Sequence, residues 1–293
     1  MVVDERALDA HRRELHIHCY RLLANFDEAE DAVQEALTRA WQARERFGGE
    51  RNVRAWLYRI ATNVCLDRMR QLKTLDRSFA EVSWLTPYPD TLLDEPEAIV
   101  VARETIELAF LAVIQLLPPR QRAVLILRDV LEWSAAETAA ALEMTVPAVT
   151  SALQRARATI AANRPPERAP SEHERELLAG FIDAHQRMDA DASLALVRED
   201  IRITMPPHPM YFCGRGQMRG LFDQAREMGE WRLIATGANR MPTAASYLRA
   251  PGDSVFRAFK FDVLRVEDRQ IAETTTFMPD LFERFGLPLT LDV

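Results

Sequence analysis

Two proline-bearing breaks dictate how this chain is partitioned. Trp84-Leu85-Thr86-Pro87-Tyr88-Pro89-Asp90 and Arg164-Pro165-Pro166-Glu167-Arg168-Ala169-Pro170 cannot lie inside a regular helix, because proline lacks an amide hydrogen and its ring clashes with the preceding turn. At 293 residues the chain is long enough for two or three domains, each burying its own core. The pattern predicts helices over 5–73, a linker over 74–104 that also carries the acidic Asp94-Glu95-Pro96-Glu97, helices over 105–163, a second linker over 164–171, and a mixed helix-and-strand domain over 172–290.

Within 5–73, Ala29, Ala32, Val33, Ala36, Leu37, Ala40 and Trp41 recur at the spacing of one buried helical stripe. Asp27 followed by Glu30 reads as a helix-start capping pair. Gly48-Gly49 interrupts the stripe, and a second helix follows with Val53, Trp56, Leu57, Ile60, Ala61 and Val64 on one side, which makes Trp56 a core residue rather than a stacking platform. A compact helical bundle is the expected result.

The third segment holds a helix-turn-helix candidate from Glu132 to Ile160. Ser134-Ala135-Ala136-Glu137 is a capping box, and Thr145 can cap a second helix beginning at Val146. By spacing alone, two ordinary packed helices fit as well. In a helix-turn-helix, Val149 and Leu153 face the core while Pro147, Thr150, Ser151, Gln154 and Arg155 face the major groove, with Arg157 nearer the backbone. Glu143 stands where such turns often have glycine, so a non-glycine residue must take the turn conformation.

After 172 the pattern turns to strands at Ile201–Met205, Trp231–Thr236, Ala244–Leu248, Val255–Val266 and Ile271–Phe277, with Pro251-Gly252-Asp253 as a turn and Ser171 to Glu174 as a capping box. This is an α+β layout.

Charge narrows the function classes. A net charge of −7 argues against indiscriminate DNA binding by the whole chain, so contacts must come from local basic faces. Two exist: Arg51, Arg54, Arg59, Arg68, Arg70, Lys73 and Arg77 against Asp67 and Asp76, and Arg155, Arg157 and Arg164 in a stretch without acids. Cys19, Cys65 and Cys213 are odd in number and lack metal-ligand spacing, which predicts no disulfide framework, no metal and a reducing cytoplasm. No cofactor is implied. No stretch suits a signal peptide or a membrane span, so a cytoplasmic protein without membrane contact is expected.

These residues carry a resemblance. Asp27-Glu28-Ala29-Glu30-Asp31-Ala32-Val33-Gln34-Glu35-Ala36-Leu37 with Ala40-Trp41 resembles region 2 of the extracytoplasmic-function sigma factors of the sigma-70 family. Arg54-Ala55-Trp56-Leu57-Tyr58-Arg59-Ile60-Ala61-Thr62-Asn63, continuing to Leu66-Asp67-Arg68, resembles the promoter-melting part of that region, and Leu117-Pro118-Pro119-Arg120-Gln121-Arg122 with Val149 to Arg157 resembles region 4. The resemblance implies two all-α sigma domains, core RNA polymerase and promoter DNA as partners, and no enzymatic activity. It implies that Asp27, Asp31, Gln34 and Glu35 dock on the clamp coiled coil of the polymerase largest subunit, and that the loop Phe47 to Val53 and the next helix hold the minus-ten strand. There Asn63 would read an unstacked base while Arg54, Arg59, Arg68 and Arg70 contact phosphates. Pro147, Thr150, Ser151, Gln154, Arg155 and Arg157 would bind the minus-thirty-five element. An arginine is common in the family where Ala152 stands, so one contact there is missing or supplied by Arg155.

Residues 172–290 resemble the SnoaL-like branch of the nuclear-transport-factor-like fold, a cone of curved sheet and helices, and Trp84 to Asp90 resembles the linker motif of sigma factors that carry this domain. His185, His208, Tyr211 and Asp262 are the candidate pocket residues, without the spacing of a catalytic set. A domain regulating the sigma regions in cis is the favoured reading. Two others compete: a ligand-responsive one-component regulator, and a SnoaL-like enzyme fused to a DNA-binding head. Whether an anti-sigma protein or a small ligand acts on the chain is left open.

Overall fold

The computed structural model describes residues 5–47, 52–72, 85–93, 105–163 and 172–292. Two compact units emerge, one drawn from Met1–Pro87 with Asp94–Pro165, the other from Tyr88–Leu93 with Pro166–Val293. Gly48-Gly49, Arg51, Lys73, Asp76, Arg77, Trp84, the acidic run after Leu93, the second proline break and Ser171 lie outside the described residues.

The first unit begins with helices α1 (Glu5–Asp9), α2 (Arg12–Leu23), α3 (Phe26–Ala43) and α4 (Val53–Leu72). Ala29, Ala32, Val33, Ala36 and Ala40 are buried on α3 as the stripe predicts, but Trp41 is exposed. The alanines leave room for α2 and α4 to approach closely, so the core is filled from those helices by Leu15, Tyr20, Leu22, Leu57, Ala61 and Val64. The helix start differs from expectation: Asn25 is the cap, its side chain accepting the Glu28 amide at 3.0 Å. Asp27 and Glu28 then fall in the first turn, where their charge favours the positive end of the helix. Trp56 is half-buried, its ring 4.7 Å from that of Phe47.

Leu85 to Pro87 stay with this unit. Thr86 accepts a hydrogen bond from the Tyr20 hydroxyl at 2.7 Å through its carbonyl and from the Phe26 amide at 2.7 Å through Oγ1.

After the short helix α5 (Asp90–Leu93), which belongs to the other unit, the second half of the first unit comprises α6 (Leu108–Gln115), α7 (Pro119–Leu125) running into a π-helical turn at Ile126–Val130, α8 (Ala135–Leu142) and α9 (Val146–Asn163). Pro119 opens α7 at a position where a missing amide costs nothing. Arg122, almost fully buried, donates to the carbonyls of Gln115 at 2.9 Å and Leu22 at 2.6 Å, tying the α6–α7 corner to α2.

The second unit opens its C-terminal part with α10 (Glu172–Gln186) and α11 (Ala190–Leu196), followed by strands β1 (Val197–Met205) and β2 (His208–Cys213), helix α12 (Gly214–Met228), then β3 (Glu230–Ala238), β4 (Met241–Arg249), β5 (Phe256–Glu267), β6 (Gln270–Phe277) and β7 (Thr290–Leu291). The strand order is β2-β1-β6-β5-β4-β3, with β7 beside β5. Only β1 and β6 pair in parallel among these ladders. This is the α+β architecture expected. Its core joins Leu177, Phe181, Ile201, Phe222, Leu233, Leu264 and Ile271 across α10, α12 and the sheet face.

The first linker is not structureless throughout. Tyr88 is 1% exposed, its amide donating to Asn239 Oδ1 at 2.8 Å and its carbonyl accepting the Asn239 amide at 2.9 Å. Pro89 bridges Ala238, and the short helix α5 (Asp90–Leu93) follows, with Asp90 Oδ1 accepting the Arg240 amide at 2.7 Å. A Cβ on Gly237 would run into the Asp90 carboxylate, so glycine is required where this strap crosses β3.

Candidate nucleic-acid interface

The α8–α9 pair is built by local chemistry. Ser134 accepts the Glu137 amide at 3.1 Å and Glu137 accepts the Ser134 amide at 2.8 Å, so both members of the predicted capping box engage. That reciprocal bond holds the Glu137 carboxyl below the usual carboxylate range. Glu143 ends α8 in the left-handed region at φ 51°, the strained turn expected of a non-glycine residue. Thr145 then accepts the Ala148 amide at 3.3 Å and starts α9.

Two faces of α9 follow from the helical period. Val149, Ala152, Leu153 and Ala156 are buried, whereas Pro147, Thr150, Ser151, Gln154, Arg155 and Arg157 are exposed. Ala152 corrects the sequence reading: at 3% exposure it belongs to the inner stripe, and a long side chain there would enter the core before reaching a base. Arg157 is not a free cation, since Asp129 grips it with two hydrogen bonds of 2.9 and 2.7 Å. These bonds raise its pKa.

On α3, Asp27, Asp31 and Gln34 are exposed and Glu35 is half-buried. Arg68 from α4 lies against this acidic face, 2.8 Å from Glu28, 3.7 Å from Asp31 and 3.5 Å from Glu35. Partial burial pulls the Arg68 pKa down, but the Glu28 hydrogen bond and the surrounding carboxylates outweigh it and the net shift is upward. The sequence reading put Arg68 among the phosphate contacts. The structure pairs it with the carboxylates of α3, because α3 and α4 pack side by side.

The other region 2 cations are also engaged. Arg54 donates to Glu14 at 2.7 Å, and Glu14, itself buried, accepts the Tyr58 hydroxyl at 3.1 Å. Arg70 pairs with Asp67 at 2.9 Å, and Arg59 lies 3.7 Å from Glu143 in the α8–α9 turn. Asn63 is half-exposed on α4. Glu14 was missed by sequence reasoning, since a lone acid in an amphipathic helix carries no signal of its distant partners.

The four pocket candidates separate. His185 and Asp262 are buried and line one cavity, while His208 and Tyr211 lie exposed on β2 and take no part in it. Both stand on the edge strand β2, outside the lining of that cavity. Among the described residues no cluster of three His, Cys, Asp or Glu side chains could hold a metal, and no helix is long and apolar enough to cross a membrane.

Residues 7–74 match the family Sigma-70 region 2, and residues 107–160 match Sigma-70, region 4. The ECF RNA polymerase sigma factor SigG of Mycobacterium tuberculosis is 42% identical over 310 residues, spanning 97% of this chain and 83% of that protein. The chain belongs to the extracytoplasmic-function (ECF) sigma factors of the sigma-70 family. The ECF RNA polymerase sigma factor SigW of Bacillus subtilis is 36% identical over 158 residues, covering 51% of this chain and 82% of that protein. The crystal structure of M. tuberculosis ECF sigma factor SigJ matches with a TM-score of 0.70 at 23% identity, over 98% of this chain and 100% of that one, a likeness of fold. As an ECF sigma factor, the chain has core RNA polymerase and promoter DNA as its partners, and the one-component-regulator reading falls away.

Proposed function

We propose that this ECF sigma factor docks core polymerase through Asp27, Asp31, Gln34 and Glu35. It reads the minus-thirty-five element with Pro147, Thr150, Ser151, Gln154 and Arg155, and meets the minus-ten strand with Arg54, Arg59, Asn63 and Arg70, with Arg157 on the backbone. The division of α9 into a buried stripe and an exposed polar face carries this reading, since it leaves those side chains at the end of the helix that enters a major groove. The corresponding functional division is region 2 over 5–73, region 4 over 105–163 and a regulatory domain over 172–290. That last domain acts in cis and does not catalyse a reaction. The strap supports the cis role, because the segment joining regions 2 and 4 is itself held by Asn239 and Arg240.

Run-off transcription on genomic fragments tests the proposal. Discrete start sites should arise only when the full chain and core polymerase are present together. Sequence-specific repression or activation by the chain with no exchange into core polymerase would overturn it.

A further inference from the structure

The domain of residues 172–290 holds a pocket of about 180 Å³, partly open to the surface, whose wall is mostly apolar, with Phe181, Met218, Phe222, Trp231 and Phe259 on its sides. Close packing normally closes such spaces, and methionines such as Met218 can adapt to what enters. The exception in the wall is an ion pair between a fully buried carboxylate and a half-buried lysine. Asp262 is 0% exposed; its Oδ1 accepts the Thr276 hydroxyl at 2.7 Å, and its Oδ2 lies 2.8 Å from Lys260 Nζ, which leaves that oxygen room to accept one further donor. A register shift against β4 explains why Phe259 and Lys260, adjacent in sequence, both reach this cavity: a bulge re-aims one of them.

A second acceptor stands in the same wall. His185 Nδ1 bonds the Phe181 carbonyl at 2.8 Å and must therefore carry the proton, which leaves the lone pair on Nε2. The ring is sandwiched by Phe181 and Phe222, with centroids 3.8 and 4.5 Å away. Burial, reinforced by the charge of Lys260, drops its pKa to about 3, so it stays neutral.

We propose that this cavity binds a small, uncharged, largely apolar molecule of single-ring size whose one hydroxyl donates to Asp262 Oδ2 or His185 Nε2. The size follows from volume, since a cavity of roughly 150 Å³ accommodates benzene. Neutrality follows from the mostly apolar wall, where a charged guest would lose its hydration, and from Lys260 and Asp262 already neutralising each other. The hydroxyl follows from the two acceptors that the fold leaves facing an otherwise apolar space. Nothing in this assignment depends on the transcriptional reading, because binding is measured on the free chain.

The test titrates phenol and toluene, nearly equal in shape, into the full-length protein by calorimetry. Saturable binding with phenol favoured about tenfold or more is expected. In the double variant Lys260→Met with Asp262→Leu, which replaces the pair by apolar groups of similar size and so spares the fold, the preference should shrink markedly while toluene still binds. Met218→Trp, filling the cavity, should abolish binding of both. Absence of saturable phenol binding to the wild-type chain, equal affinity for the two probes, a phenol preference untouched in the double variant, or binding undiminished in Met218→Trp overturns the proposal.

Discussion

Replacing Asn239 isolates the grip on the strap. Asn239 is fully buried and sits at φ 56°, a conformation that asparagine tolerates better than alanine. In Asn239→Ala the Tyr88 amide loses its acceptor, which costs about 1–3 kcal/mol for a buried donor, and the left-handed backbone adds roughly 1 kcal/mol. The docked strap is therefore disfavoured by about 2–4 kcal/mol, or roughly thirty- to a thousand-fold. Asn239→Gly removes the acceptor while relieving the backbone, so it should fall short of the alanine variant by about the backbone contribution. Hydrogen exchange of the full-length protein reads this directly, since the Tyr88 amide is the donor at issue, and exchange over 85–93 should accelerate while α3 and α9 keep their protection. Run-off transcription with core polymerase should change in parallel if the strap transmits regulation. Unchanged Tyr88 protection in both variants would refute the reasoning.

Three other outcomes follow from the same geometry. Within holoenzyme, Arg155→Ala should cost about 1–3 kcal/mol at promoters carrying the cognate base and less at others; a uniform loss across promoter variants, measured by competition, would assign it to phosphate instead. Asp31→Lys with Glu35→Lys should weaken assembly with core polymerase while circular dichroism stays unchanged, because both side chains lie off the buried stripe; undiminished assembly in a pull-down would remove the docking role. Two buried neutral histidines, His18 and His185, titrate near 3, chiefly through burial, with Arg21 and Lys260 adding to it, against about 6.5 in an unfolded chain. The unfolded state binds more protons between those values, so their contribution is complete above about pH 6.5 and falls on acidification toward 3, by roughly 2 kcal/mol each at pH 5. Urea midpoints at pH 7 and 5 should show this loss, reduced in His185→Phe; an equal loss in that variant would mean that the imidazole takes its proton without unfolding.

What could be read from the sequence was local. The capping box at Ser134 and the αL turn at Glu143 depend on residues within one turn, and β3 to β6 are continuous strand-forming runs bounded by turn residues. Strand β2 was missed because Pro207 and Pro209 flank His208 and obscure any alternation, and α12 because Gly214, Gly216 and Gly220 argue against a helix that tertiary packing nonetheless forms. The strap was illegible for a different reason: Tyr88 and Asn239 are 151 residues apart, and an asparagine near a glycine reads simply as a turn. The resemblance marked Ala152 only as a departure from a common arginine, and that the register set by Val149 and Ala156 turns it inward emerges from the fold. The partners of Arg68 were likewise illegible, since a run of cations on one helix says nothing of the acids that the adjacent helix will bring to them.

That last placement has a thermodynamic consequence. Arg54, Arg68, Arg70 and Arg157 are each paired within the first unit, and Arg59 lies near Glu143. The exposed pairs among these contribute only about 0–1 kcal/mol each, too little to hold a cation against a phosphate, while the net charge of −7 leaves the free chain a poor competitor for duplex DNA. A cationic partner that engages Asp31 and Glu35 changes this balance. It takes two of the carboxylates away from Arg68 and lowers the negative potential over α3 and α4 together. Docking and DNA contact are then linked through shared charges rather than through a moving part, and the linkage must be reciprocal, with DNA on α4 strengthening the docked state by the same factor.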